Sequence, residues 1–197
     1  MRLRGFFTWF GGDTTTELRW IGLYQVCKRT GPFLIFCRFS HSDYTSNARY
    51  IGFLTQFGIA SDYEQRTKYR QDVFRDDPFH KETIPFAPGV MSFAGSGPNS
   101  RTTEVFIVMP NTPQAQLDYF GQNPLETPFA YISNVETSPV ATFHAYGEMP
   151  PNGSGPDSSE IYGENGYEYL FKNFPEMDYI EECRVIEIGL GSKEPEL

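Results

Sequence analysis

Histidine and cysteine are scarce in this chain of 197 residues, three of each, and neither is spaced as metal or thiol-pair chemistry requires. His41, His80 and His144 stand far apart, so no metal-ligand motif forms, and each reads as a surface or turn residue. Cys27, Cys37 and Cys183 make no C-x-x-C pair and are odd in number, which argues for reduced thiols in a reducing compartment such as the cytoplasm. No apolar run reaches membrane-spanning length, and the opening apolar stretch ends at Gly11-Gly12-Asp13, too short for a signal-peptide core. There is no G-x-S-x-G, and Gly95-Ser-Gly-Pro-Asn-Ser meets neither the dinucleotide nor the phosphate-loop pattern. Basic residues are short in the C-terminal half: residues 101–197 carry 4 against 16 acidic ones, while residues 1–80 carry 11 against 8. An acidic half repels phosphate backbones, so nucleic acid is not an expected partner. The local basic group Arg66, Lys68, Arg70 and Arg75 reads as a solvated charged segment. What remains is chemistry that needs no metal, no activated nucleophile and no nucleotide.

Aromatic residues are abundant, with 18 Phe, 12 Tyr and 2 Trp, and the hydrophobic fraction of 39% suffices for the core of one domain. Eighteen Gly and 15 Pro cut the chain into short pieces, which excludes a coiled coil or a long helical bundle. Strands are expected over 31–39, 50–57, 89–94, 104–109, 129–132 and 183–188, each short and rich in Phe, Ile, Val or Tyr. Turn chemistry separates them, as in Ser-Gly-Pro-Asn and Pro-Pro-Asn-Gly. Only 62–72 and 166–173 read as helices, the second with Tyr167, Leu170, Phe171 and Phe174 on one face and Pro175 as its stop. Many short strands with two helices suggest a closed barrel or a sandwich.

Three blocks carry a more specific signal. They are Gly52-Phe-Leu-Thr-Gln-Phe-Gly-Ile59; Pro88-Gly-Val-Met-Ser-Phe-Ala-Gly-Ser-Gly-Pro-Asn-Ser-Arg-Thr-Thr-Glu-Val-Phe-Ile107; and Tyr146-Gly-Glu, Gly155-Pro-Asp157 and Tyr169-Leu-Phe-Lys-Asn-Phe-Pro-Glu-Met-Asp-Tyr-Ile180. With Asp76-Asp77-Pro78, these resemble the cyclophilin-type peptidyl-prolyl cis-trans isomerases, in family order over residues 47–188. The resemblance implies a mainly β fold, a closed eight-stranded antiparallel barrel with two helices. Residues 1–46 are then a divergent N-terminal segment, whose Phe6, Phe7, Trp9, Phe10 and Trp20 are expected to cover barrel edges, and 189–197 a flexible tail.

The resemblance also implies a groove for proline-containing peptides or unfolded protein segments, worked by a monomer without cofactor, metal or membrane insertion. Arg49 stands for the catalytic arginine, Phe53 and Phe106 for the pocket aromatics, Gln56 for the amide and Ala94 for the groove wall. Leu117 stands for the rim leucine, and Phe93, Gly95, Glu104 and Phe129 complete the substrate-binding set.

Where the family carries an asparagine and a glutamine, this chain has Gly95 and Glu104, and no proline stands between Arg49 and Phe53. A carboxylate at 104 that faces the groove would pair with the Arg49 guanidinium; one that merely begins a strand would point into water. Two functions therefore stand open, an isomerase and a catalytically inactive module that docks a proline-containing segment of a partner protein.

Overall fold

A computed structural model describes residues 3–9, 33–40, 52–77, 85–132 and 134–187, with the backbone alone for 3–9, 33–40 and 181–187. Seven strands run in chain order as β1 (Leu3–Trp9), β2 (Phe33–Ser40), β3 (Leu54–Phe57), β4 (Val90–Phe93), β5 (Val105–Val108), β6 (Ala130–Ile132) and β7 (Tyr179–Glu187). Four helices accompany them: α1 (Tyr63–Arg70), α2 (Gln114–Tyr119), α3 (Ser158–Tyr162) and α4 (Gly166–Asn173). Strands β3, β5, β4 and β6 form a four-stranded antiparallel block, and the order continues through β1 and β2 to β7.

The sheet is open, which corrects the closed eight-stranded barrel. Closure requires the ladder to return on itself, and among the described residues it runs from β3 to β7 without doing so. Strand β3 is only four residues long and is followed by Gly58, whose φ of +121° bends the chain away before α1 begins. Among the described residues the α-helices likewise number four rather than two. Strands β1 and β2 belong to the same sheet as the rest, β1 pairing with β6 and β2 with β7. Residues 189–197 lie outside the described residues.

Period-two alternation assigns the two faces of the block. Met91 and Phe93 of β4, Val105 and Ile107 of β5, and Ala130 and Ile132 of β6 bury one face against Val135 and Val140. The opposite face carries Val90, Phe106 and Val108, which pack with Phe86 and Phe120. Two buried arginines tie loops to this frame. Arg66 donates to the carbonyls of Ser61, Gly163 and Glu164 and so joins α1 to the turn between α3 and α4. Arg101 bonds Asp77 at 2.7 Å and lies over the rings of Phe74 and Phe93.

Candidate functional site

Phe106 is the floor of the second face. It sits mid-strand in β5, opposite Gln56 of β3 and Ser92 of β4, so its neighbours are set by register. Its ring is 3% exposed and lies 5.2 Å from Phe120 and 6.0 Å, nearly parallel, from Phe86. Phe53, just before β3, reaches Phe120 at 6.1 Å. Its carbonyl accepts from the Met109 amide at 3.1 Å and the Thr112 hydroxyl at 2.6 Å, which pins the entry to β3 against the exit from β5. Leu54, Ala94 and Leu117 pack half-buried against the same cluster. A cavity of about 220 Å³ opens beside it, lined by Pro85, Phe86, Gln114, Leu117, Asp118, Phe120 and Gly121.

Polar groups stand at the β3 side of this patch. Gln56 is exposed, and its Nε2 donates to Glu104 Oε2 at 2.5 Å. Glu104 Oε1 accepts from the Tyr162 hydroxyl of α3 at 2.7 Å, so both carboxylate oxygens are engaged. Burial, and then the neighbouring carboxylate, push the Tyr162 hydroxyl well above the usual tyrosine range, which keeps it a donor. The Arg70 guanidinium lies 4.2 Å from the centroid of the Tyr162 ring. Because a carboxylate only accepts, the Gln56 amide must turn its NH₂ toward Glu104, and its carbonyl oxygen faces away.

The sequence-derived residues thus divide into groups. Phe53, Gln56, Ala94, Glu104, Phe106 and Leu117 come together on one face. Phe93 and Phe129 do not: alternation along β4 turns Phe93 to the opposite face, where its ring lies 4.6 Å from that of Phe129, tilted by 33°, within the main core. Gly95 lines a separate cavity of about 240 Å³ with Asp76, Asn123 and Glu126. A Cβ at Gly95 would lie 2.7 Å from the Ser100 hydroxyl, which accepts from the Ser96 amide. Arg49 lies outside the described residues. Phe86, Phe120 and Tyr162 are additions that the sequence reading did not single out. Phe120 ends a segment with no strand or helix periodicity, and Tyr162 reaches Glu104 across 58 residues, so neither carried a local signal.

Among the described residues no group of three or more His, Cys, Asp or Glu is placed to hold a metal ion, and no helix is long and apolar enough to cross a membrane. Comparison with protein-family models finds no match, and comparison with curated proteins finds none.

Proposed function

We propose that the chain is a peptidyl-prolyl cis-trans isomerase that takes X-Pro segments of peptides and unfolded proteins on the face floored by Phe106. The observation that carries the reading is the convergence of Phe53, Ala94, Phe106 and Leu117 in one apolar cluster, with Gln56 in direct register with Phe106. This reading rests on the β3, β5 and β4 surface and does not require a closed barrel.

The chemistry asks for little. Amide resonance sets a barrier of ~18–20 kcal/mol, and twisting the X-Pro bond localises a lone pair on the prolyl nitrogen. A surface that holds the pyrrolidine ring against aromatics, anchors a flanking amide at Gln56 and directs the Arg49 guanidinium at that lone pair binds the twisted state better than either planar one.

The second reading, a docking module without catalysis, draws on two observations. Phe86 and Phe120 already cover the Phe106 ring, and the Gln56 amide is committed to Glu104.

Exchange spectroscopy on a proline tetrapeptide tests both. Catalysis brings cis–trans exchange within a ~1 s mixing time, against tens to hundreds of seconds without protein. Arg49→Ala is expected to slow the catalysed exchange by about 10²-fold, the effect of removing one transition-state donor. Shifted peptide signals without faster exchange favour the docking module, and neither shift nor acceleration overturns the proline-groove reading altogether.

A further inference from the structure

In the ladder between β2 and β7, Cys37 and Cys183 are direct register partners. Two of the three cysteines of the chain thereby meet across strands that come from opposite ends of the sequence. Pairing continues regularly on both sides of them, Phe36 opposite Arg184 and Arg38 opposite Glu182, and the register shifts only beyond Arg38. Directly opposed residues of an antiparallel pair share one face of the sheet, with Cα atoms ~4.5 or ~5.5 Å apart according to the kind of pair. A disulfide spans Cα separations of about 4.4–6.8 Å, so both kinds fall within its reach.

We propose that Cys37 and Cys183 form a redox-responsive cross-strand disulfide, closed by exchange with a small-molecule disulfide such as oxidised glutathione and opened by the corresponding thiol. The thiolate of one cysteine attacks a glutathione sulfur, forming a mixed disulfide and releasing one glutathione thiolate. The other cysteine gives its proton to solvent, and its thiolate displaces the second glutathione as the protein S–S bond forms. Two electrons pass from the protein sulfurs to glutathione, and the two protons lost by the cysteines balance those taken up by the departing thiolates. The bond staples the last strand to an N-terminal one. Its place at the β7 edge is at the far end of the strand order from β3, so it does not depend on the proline-groove reading.

The test is thiol mapping of the full chain. After equilibration with oxidised glutathione, denaturation and alkylation, mass spectrometry is expected to find one alkylated cysteine, Cys27, and a proteolytic peptide pair that joins Cys37 to Cys183. The melting temperature of the oxidised protein is expected to exceed that of the reduced protein by about 5 °C or more, because the bond closes a very long loop. Cys27→Ser should keep that shift and Cys183→Ser should lose it. Three alkylated thiols, a lasting glutathione adduct at Cys37 or Cys183, or a bond that includes Cys27 would each overturn the assignment, and this mapping of the unsubstituted chain needs no variant to fold.

Discussion

Glu126 shows how one side chain ties the chemistry of a cavity to the stability of the whole. Its Oε2 accepts from the Gly121 amide at 2.9 Å, and the side chain lines the depression that holds Gly95 and Asp76. Burial raises its pKa above the ordinary carboxyl value of 4.5, an effect that the Gly121 hydrogen bond only partly opposes. The native state therefore holds this proton more tightly than the unfolded chain does. Stability from this group is fully present below the unfolded pKa and is lost as pH rises through the folded one. Glu126→Gln removes the titration while leaving a carbonyl to accept the Gly121 N–H. Thermal melts between pH 4.5 and 7 should thus fall less steeply for the variant, with its melting temperature above that of wild type at pH 7. Parallel curves for the two proteins would remove the burial argument. The residues of the candidate site were legible to an uneven degree. Phe53, Gln56, Ala94 and Phe106 lie in or beside short apolar runs that the structure brings to one cluster, whereas Tyr162 gave no local signal, since folding carries its hydroxyl to Glu104 from 58 residues away. Phe93 misled for a simpler reason: it lies next to Ala94 in sequence, and one step along a strand changes the face.

At the scale of elements, helix α4 was readable to its bounds because its aromatic residues recur at helical spacing and Pro175 follows. Helices α2 and α3 were not. Six and five residues are too few to display a period, and α2 has Pro113 at its N-cap, with no side-chain cap. Strand β1 was masked by its own composition, since a basic start and a Gly within Leu3–Trp9 obscure any alternation. The connection from β3 to α1 turns on Gly58, where φ is +121° and a Cβ would stand 2.2 Å from the Thr103 carbonyl oxygen. Gly97 supplies an internal control: its φ is +122°, yet a Cβ there meets nothing within 4 Å. Gly58→Ala should cost about 2–3 kcal/mol, the backbone strain plus the displacement of Thr103, and Gly97→Ala only the strain, about 1 kcal/mol. Denaturant unfolding of the two variants measures the difference. Equal losses would show that conformation alone, and not the close approach of Gly58 to the Thr103–Glu104 backbone, sets the cost.

For the molecule as a whole, openness of the sheet makes the two ends of the chain interdependent. Closure could not be read from strand counts, because it depends on whether two remote edges meet, and short strands with turn signals are equally suited to an open sheet. In the strand order the N-terminal pair β1 and β2 stands between β6 and β7, so the C-terminal strand joins the sheet through β2. That ladder matches eight residues of β2, from Phe33 opposite Glu187 to Ser40 opposite Tyr179, whereas β1 meets β6 at only three positions. Deletion of residues 1–40 therefore separates two contributions: it removes the whole partner of β7 but leaves β3, β5, β4 and β6 paired with one another. Hydrogen exchange should then show fast exchange at the amides of Tyr179–Glu187 and retained protection at Met91, Phe93 and Ile107, whose side chains sit in the main core. Continued protection of β7 would mean that it holds to the sheet through something other than β2. Loss of protection at Met91 and Ile107 as well would mean that the three-residue junction between β1 and β6 stabilises the central block far more than its length suggests, and that the sheet unfolds as one cooperative unit.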